Sequence, residues 1–346
     1  MAAATALAGP RREPAEVTTK TSTRVGIYGS GRTATELVRA LRPSPHRITA
    51  GIVHSERRAG ADLGELTCGE PNGIPTTSDL AAAVGSGDFD LLLYAGLSGE
   101  RHEEAMRLCV DAGIDLVHAC FVHPRTALEP AVHDRLAARA AVTGSRVVGT
   151  GMIPGLWLDV LPALLSSGLP APVSVRAARA SDISSWGADV LRTELGVGTV
   201  RSGTADHVDG ALRQSAQMIA EALGLVGVTP ASRGGLVLAD EDTTVGEIAV
   251  ARGQVEGFRQ EVVVACDGVE RVVLAWSGLA GRPTASSEEK SVVLSLVGVD
   301  RTAIEVRIAT PLDPYPGTAA RMVQAVGGLA GLAPGLHPTS ALPASS

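Results

Sequence analysis

The pattern of apolar and polar positions divides the chain into two parts. From Arg24 to about residue 150, short apolar runs alternate with helix-like segments, which predicts parallel strands joined by helices. Beyond the first strand near Val25, the predicted strands are 48–53, 89–94, 114–119 and 146–148, and the predicted helices are 77–84, 100–112 and 127–142. This alternation is typical of a doubly wound parallel sheet with helices on both faces.

After Gly151 the segments become longer and alternate with a period of two, which is typical of strands with one buried face. Predicted strands are 173–180, 245–250, 260–265, 271–275, 292–296 and 303–308, and predicted helices are 155–165, 206–223 and 318–330. We therefore expect a second α+β domain with a mostly antiparallel sheet over 151–315, after a first domain over 23–150. Residues 1–22 are expected to be a disordered tail and residues 334–346 a flexible one, because both are rich in small residues and proline.

The first strand runs directly into a glycine turn with the form G-x-G-x-x-A. Gly29 permits a tight turn, Gly31 lets the backbone approach a pyrophosphate, and the small Ala34 allows the following helix to pack closely on the strand. The pyrophosphate would bind the free amide groups at the start of the helix. Strand, turn and helix in this order predict a dinucleotide-binding Rossmann domain. The cofactor residues predicted here are Gly29, Ser30, Gly31, Arg32, Thr33 and Ala34.

The loop after the second predicted strand indicates which nicotinamide nucleotide is bound. An NAD site commonly places an acid here, against the ribose 2′-hydroxyl, whereas an NADP site places an arginine near the 2′-phosphate. Ser55, Arg57 and Arg58 suit a phosphate, since a guanidinium can donate two hydrogen bonds to it. The sequence therefore predicts NADP(H), with Glu56 directed to solvent. The alternative is that both arginines belong only to a solvated loop.

Composition narrows the classes of function. The net charge of −7 and an aromatic content of 3% give no support to a nucleic-acid surface, and no apolar run is long enough to span a membrane. The four cysteines are widely spaced and match no disulfide or zinc pattern, which favours a reducing cytoplasm. The chain has two lysines, Lys20 in the N-terminal tail and Lys290 in a polar segment, so a catalytic lysine is not expected.

Several motifs together resemble the dihydrodipicolinate-reductase-like superfamily of NAD(P) oxidoreductases. They are GSGRTATELVRAL, ERRAGADLGEL, GTGMIPGLWLDVLP, RAARASDISSWGADVLRTELGVG and PYPGTAARMVQAVGGLAGLAPGL, and the resemblance covers most of residues 24–343. Within the superfamily, they are most similar to the 2,4-diaminopentanoate dehydrogenase and native amine dehydrogenase branch. The resemblance implies a Rossmann domain, a second domain for substrate and dimerisation, a final helix (316–333) that returns to the first domain, and a homodimer.

The chain departs from that resemblance where the substrate is expected. It lacks the His-His pair and the lysine of true dihydrodipicolinate reductases. Where the amine dehydrogenase branch has an acidic segment resembling T-C-E-E-L, this chain has ACFVHP at 119–124. Where the branch often shows G-x-x-N-P-G, this chain has GMIPG at 151–155. These differences predict a specialised substrate.

Ligands of a doubly wound sheet bind beyond the carboxyl ends of its strands. This rule places Gly96 and Leu97 at the cofactor, and His123 and Tyr94 near the reacting centre. His123 is the predicted acid or base, because imidazole titrates near neutral pH. Its alternative role is to cap the loop before Pro124. Tyr94 is predicted to donate a hydrogen bond to substrate, or else to be a buried residue at a strand end. The spacing H-x-C-x-x-H, from His118 to His123, fits no strong zinc signature, and no metal is predicted.

The second domain supplies the predicted substrate contacts. Asp182 and Glu194 match acidic positions of the resembling branch, and could bind an amino group or act as caps. Trp157 and Trp186 could line an apolar pocket or belong to the core. The predicted substrate residues are Met152, Trp157, Asp182, Trp186 and Glu194.

These observations predict an NADPH-dependent oxidoreductase that acts at a C–N centre of a small molecule, by imine reduction or amine oxidation. Two alternatives stay open at this point. The same fold could catalyse a non-redox cyclisation or dehydration with a retained nucleotide, or the chain could be a non-catalytic NADP-binding protein.

Overall fold

The computed structural model describes residues 22–279, 291–309 and 313–343, and the first domain is built as the apolar pattern predicts. Its strands are β1 (Arg24–Tyr28), β2 (Arg47–Ile52), β3 (Thr76–Thr77), β4 (Leu91–Tyr94), β5 (Asp115–His118) and β6 (Arg146–Gly149). Its helices are α1 (Arg32–Leu41), α2 (Leu63–Cys68), α3 (Leu80–Gly85), α4 (Glu100–Ala112), α5 (Pro124–Ala127) and α6 (Pro130–Thr143). Central strands such as β4 are buried along their whole length, because helices cover both faces of the sheet.

The second domain contains the long alternating strands. Its helices are α7 (Val160–Ser166), α8 (Ala188–Thr193) and α9 (Asp206–Ala222). Its strands are β7 (Pro172–Asp182), β8 (Ala231–Leu238), β9 (Thr243–Val245), β10 (Ile248–Val250), β11 (Val255–Cys266), β12 (Val269–Leu279), β13 (Ser291–Gly298) and β14 (Ala303–Ala309). The chain then forms α10 (Tyr315–Leu329) and β15 (Gly335–His337).

The predicted fold class is confirmed by the strand order. The first sheet has the order β15-β6-β5-β4-β1-β2-β3, and its strand pairs are parallel. The order 3-2-1-4-5-6 is that of the doubly wound dinucleotide-binding fold. The second sheet has the order β14-β13-β7-β12-β11-β8 and is antiparallel except for the pair β7 and β12.

Two helices connect the layers. The helix α10 packs beside α1, where buried residues of both helices join the apolar side chains of β1 in one core cluster. The helix α9 lies on the buried face of the second sheet, with Leu212 and Ile219 in the core of that domain. The carboxyl edge of the first sheet lies near α9, since the Gln214 side chain of α9 accepts a hydrogen bond from the Val122 amide, four residues after β5.

Several predicted boundaries differ from the structure. Residues 334–346 were expected to form a flexible tail, but Gly335–His337 pairs with β6 at the edge of the first sheet. Helix 77–84 begins only at Leu80, since the Asp79 carboxylate accepts a hydrogen bond from the Ala82 amide and caps it. The segment 245–250 is two short strands divided at Gly246, and β8 was not predicted. The predicted N-terminal tail lies outside the described residues, except for residue 22.

Candidate functional site

The glycine turn has the geometry of a phosphate cradle. Gly29 has φ +118°, and a Cβ atom there would lie 3.1 Å from the Ala95 carbonyl oxygen, so glycine is required. Gly31 is the N-cap of α1, and a Cβ atom there would meet nothing within 4 Å among the described residues. Ala34 is fully buried between α1 and the sheet. The first amide groups of α1 therefore open onto free space, as an anion site at a helix N-terminus requires.

One residue of the predicted cofactor loop after β2, Arg58, reaches the same turn. Ser55 precedes a short 3-10 helix, Glu56–Arg58, and all four residues are exposed. The Arg58 guanidinium donates hydrogen bonds from Nη1 to the Ser30 Oγ atom at 2.7 Å and to the Ser30 carbonyl oxygen at 3.3 Å. A guanidinium is thus held beside the glycine turn, at the end of β2 where a ribose 2′-phosphate would lie.

The side chain of Arg32 contacts residues outside the glycine turn. Its Nη1 atom donates to the Ser185 carbonyl oxygen at 2.7 Å, its Nη2 atom pairs with the Asp313 carboxylate at 2.8 Å, and its guanidinium covers the Tyr315 ring. These contacts connect α1 to the second domain and to the start of α10. The side chain of Arg32 therefore has an interdomain role. The nucleotide contact predicted for Arg32 stays a prediction for its backbone amide, at the first position of α1.

The loop after β4 is shaped by two stacked tyrosines. The rings of Tyr28 and Tyr94 are 4.4 Å apart, and the Tyr94 hydroxyl donates to the Leu97 carbonyl oxygen at 3.0 Å. A Cβ atom at Gly96 would lie 2.7 Å from the Tyr94 ring, so any larger residue would force the loop to shift. Tyr94 is buried and its hydroxyl is occupied, and burial raises its pKa. Its predicted contact with substrate is replaced by a structural one, which presents Leu97 to the cavity described next.

A cavity of about 220 Å³ lies between the two domains at the carboxyl edge of the first sheet. The first domain contributes Thr33, Gly96, Leu97, Ser98 and Ala119, and the junction contributes residues 151–154. From the second domain and α10 come Arg179, Trp186, Val190, Glu194, His207, Val208, Trp276, Pro314, Tyr315 and Thr318. The structure thus brings predicted residues Met152, Trp186 and Glu194 to one cavity with Leu97. The cavity is mainly apolar with a few converging charged groups, which is typical of a small-molecule site.

A carboxylate and an imidazole form a pair in this cavity. The Glu194 Oε2 atom lies 2.8 Å from the His207 Nδ1 atom. The hydrogen bond from His207 lowers the pKa of Glu194, so this carboxylate is ionised at neutral pH. Sequence reasoning identified Glu194 but missed His207, because a histidine in the first turn of a helix carries no local sign of a pocket.

His123, the predicted acid or base, does not line the cavity. Its Nδ1 atom accepts hydrogen bonds from the Thr126 amide at 3.2 Å, as the N-cap of α5, and lies 2.8 Å from the Thr126 hydroxyl. Its Nε2 atom lies 3.3 Å from a Glu221 carboxylate oxygen. The ring is buried and both nitrogens have protein partners, so His123 takes the alternative role of a loop cap.

Two further predicted substrate residues also have local partners. The Asp182 carboxylate accepts hydrogen bonds from the Ser184 amide at 3.0 Å and the Ser184 hydroxyl at 2.6 Å, which closes the turn after β7. Trp157 is buried beneath the guanidinium of Arg179, 5.1 Å from its ring centre. Neither residue lines the cavity, although Trp157 supports a residue that does.

The domain junction contains polar residues that sequence reasoning did not single out as binding partners. Gln214 of α9 is buried, and its Oε1 atom accepts hydrogen bonds from the amides of Val122 at 2.8 Å and His123 at 3.1 Å. The fully buried Asp159 carboxylate accepts from the amides of Gly155 and Val160 and from the Ser215 hydroxyl. Burial raises the pKa of Asp159, while these donors favour its charged form. Together they fix α9 and the junction loop against the first domain.

A buried cluster near the cavity contains His102, His118 and Cys120, whose potential ligand atoms lie within 4.8 Å of one another. The cluster includes two members of the H-x-C-x-x-H segment but not His123. The His118 Nδ1 atom accepts a hydrogen bond from the Cys120 amide at 3.2 Å, so the neutral ring carries its proton on Nε2. Neither nitrogen of His118 is then a free ligand, and the absence of a metal stays a prediction.

Parts of the sequence are similar to known oxidoreductases. The chain is 34% identical over 98 residues to a 4-hydroxy-tetrahydrodipicolinate reductase from Anaeromyxobacter dehalogenans, a match covering 28% of this chain and 35% of that one. It is 28% identical over 183 residues to an amine dehydrogenase from Streptomyces virginiae, a match covering 50% of each chain. The resemblance seen in the sequence is confirmed. The chain spans about half or less of the length of these relatives, and no protein-family model matches it.

A solved structure extends the likeness to the fold. The amine dehydrogenase from Mycobacterium smegmatis superposes with a TM-score of 0.75 at 21% identity, over 94% of this chain and 97% of that one. The two-domain arrangement described above is therefore that of an amine dehydrogenase structure. Among the described residues, no helix is long and apolar enough to cross a membrane.

Proposed function

We propose that this protein is an NADPH-dependent oxidoreductase that reduces an imine or oxidises an amine of a small, specialised substrate. The observation that carries the proposal is the Glu194–His207 pair in a cavity that also reaches Thr33 of α1 and Leu97 after β4. In this proposal the two residues act as an acid–base pair next to the predicted nucleotide site. The similarity to amine dehydrogenases and dihydrodipicolinate reductases supports the reaction class.

The residues that would hold the nucleotide form one continuous path. The α1 amides behind Gly31 would bind the pyrophosphate, and Arg58, Arg57 and Ser55 would bind the 2′-phosphate. Gly96 and Leu97 would contact the nicotinamide end. A bound nicotinamide would supply or accept the hydride at its C4 atom.

The chain itself must manage one proton. Oxidation of a protonated amine to an iminium releases a proton in addition to the hydride, and reduction of an imine followed by protonation consumes one. His207 is the group suited to move it, because an imidazole can both accept and donate a proton and Glu194 holds its Nδ1 atom. The ionised Glu194 also attracts a cationic nitrogen. Trp186, Met152 and Leu97 would shield the reacting centre from water.

A hydride-transfer screen tests the reaction class. Purified protein is mixed with NADPH and a panel of cyclic and acyclic imines, or with NADP⁺ and the matching amines, and the absorbance of reduced nicotinamide is followed. We expect turnover with at least one C–N substrate and a slower rate with NADH. Tight NADPH binding without hydride transfer to any member of the panel would overturn the proposal.

Two histidine variants locate the proton-transfer group. His207→Asn is expected to lower kcat by about 10²-fold or more, the usual contribution of a positioned acid or base. His123→Asn is the matched control: it removes the imidazole, but asparagine can still cap α5, so kcat and thermal stability are both expected to stay near wild type. A large loss of kcat in His123→Asn, with His207→Asn unaffected, would return the role to His123. The homodimer and a cytoplasmic location stay predictions, and light scattering would test the first.

A further inference from the structure

The buried face of strand β7 changes from apolar to polar as it approaches the cavity. Alternate residues on this face are Val175, Ala177 and Arg179, and the first two belong to the core of the second domain. Arg179 follows at the same spacing and lines the cavity instead. A guanidinium therefore occupies a position where the strand pattern alone would place another aliphatic residue.

Arg179 is held rigidly by its neighbours. Its Nε atom donates a hydrogen bond to the Ser181 hydroxyl oxygen at 2.7 Å, and its guanidinium lies over the Trp157 ring. The Trp276 indole nitrogen donates to the same Ser181 oxygen at 2.9 Å, which fixes that oxygen and one wall of the cavity. Ser181 holds the Nε edge of the guanidinium and Trp157 holds one of its faces. The two Nη atoms therefore have a defined direction.

No carboxylate in the described part of the chain forms an ion pair with this guanidinium. The Arg179 side chain is more than nine-tenths buried, and its Nη1 atom has no hydrogen-bond partner among the residues described. The carboxylate that lines the same cavity, Glu194, is already paired with His207. Burial lowers the pKa of Arg179 to about 10, so it is still charged at neutral pH. A buried cation with an unused donor is costly unless a ligand pairs with it.

We propose that Arg179 binds a carboxylate of the substrate, so that the C–N centre belongs to an amino acid or an imino acid. The inference rests on the proposed function and narrows it to a substrate class. Guanidinium and carboxylate pair through parallel hydrogen bonds, and a single fixed arginine matches one negative charge. A phosphate dianion carries a second negative charge, and Arg179 is the one arginine or lysine among the described residues that line the cavity. Glu194, of opposite sign, lines the same cavity. The substrate carboxylate itself is unchanged by the reaction.

A binding experiment tests this inference without hydride transfer. All three tryptophans of the chain lie at this site, since Trp186 and Trp276 line the cavity and Trp157 supports Arg179. Intrinsic fluorescence is therefore followed during titration with 4-methylpentanoate, with its neutral analogue 4-methylpentanamide, and with inorganic phosphate. We expect the carboxylate to bind about tenfold or more tightly than the amide, as a charge-assisted pair implies, and more tightly than phosphate.

Two arginine variants test whether Arg179 causes the preference for the acid over the amide. Arg179→Gln is expected to bind acid and amide equally. Arg176→Gln is the matched control on the same strand, where the arginine is exposed and pairs with Glu270, and it is expected to keep the wild-type preference. Thermal unfolding of both variants checks the fold. Because Arg179 has an unused donor, Arg179→Gln is expected to unfold no earlier than wild type.

The proposal is overturned if wild-type protein binds the amide as tightly as the acid, a comparison that needs no variant. It is also overturned if Arg179→Gln retains the preference, if Arg176→Gln loses it equally, or if phosphate is the tighter ligand. Carboxylate binding at Arg179 without turnover of any imine or amine would count against the proposed reaction and leave the anion site established.

Discussion

Arg58→Gln tests the nucleotide site at the arginine that touches the glycine turn. In the structure the Arg58 Nη1 atom lies 2.7 Å from the Ser30 hydroxyl, which fixes the guanidinium beside the expected 2′-phosphate. Only NADP(H) carries that phosphate, so the substitution should weaken NADPH binding and leave NADH binding nearly unchanged.

The magnitude follows from the exposure of the site. A hydrogen bond to a charged group contributes about 1.5–3 kcal/mol, and exposure to solvent favours the lower end of that range. Arg58 is exposed, so we expect a loss of about 1.5 kcal/mol, which corresponds to roughly a tenfold rise in the NADPH dissociation constant. The loss should shrink as salt concentration rises, because exposed charges are screened.

The assay is isothermal titration of wild type and variants with NADPH and with NADH. Arg39→Gln is the matched control, since that exposed arginine lies near the far end of α1 and pairs with Glu36. An Arg58→Gln protein that binds NADPH as wild type does, or that loses NADH affinity to the same extent, would refute the assignment of this loop to the 2′-phosphate.

Three further predictions concern the surroundings of the cavity. In Gly96→Ala the new methyl group would lie 2.7 Å from the Tyr94 ring, so the loop must shift; we expect about 1–3 kcal/mol lower stability in urea and weaker NADPH binding. Ser215→Ala removes a 2.9 Å hydrogen bond from the buried Asp159 carboxylate, and should lower the free energy of unfolding by about 2 kcal/mol. The folded-state pKa of Glu194 is depressed, so its stabilisation is full above the ordinary value of 4.5 and is lost as pH falls through the lower folded value. The stability difference between wild type and Glu194→Gln should therefore narrow in acid.

Matched substitutions separate these effects from general damage. Gly85→Ala has no atom among the described residues within 4 Å of the new methyl group, and should not destabilise. Ser167→Ala removes an exposed hydroxyl and should change stability by less than about 0.5 kcal/mol. Equal losses in Ser167→Ala and Ser215→Ala, or a Glu194→Gln difference that widens in acid, would contradict the reasoning.

The parts of the site that could be predicted are those whose requirements are local. The turn from Gly29 to Ala34 needs a residue with positive φ, a residue without a side chain where a ligand can approach the backbone, and a small residue that packs on the strand. All three lie within six positions, so the amino-acid types alone predict the turn. The alternation of apolar runs likewise predicts a parallel sheet, because each strand must bury both faces. Helix boundaries were predicted less well: the helix predicted over 77–84 begins only at Leu80, after the Asp79 cap.

The choice among histidines shows where such reasoning stops. His123 and His207 are both histidines near helix starts, and neither has a distinctive neighbour in the sequence. In the structure the His123 ring is hydrogen-bonded to Thr126, whereas His207 lies beside Glu194. Glu194 comes thirteen residues earlier in the chain and caps the end of another helix. Partners on separate elements are set by how helices pack on a sheet, which no local pattern records.

By itself, the sequence determined the Rossmann fold, the second α+β domain and the glycine turn, because backbone sterics and burial period act over a few residues. Only the tertiary structure decided which side chains meet between the domains. It assigned Arg32 to an interdomain contact and His123 to a cap, and it brought Arg179 to the cavity with an unused donor. The physical reason is that charge balance and hydrogen bonding in a buried cavity depend on groups far apart in the chain. These groups come into contact only when the chain has folded.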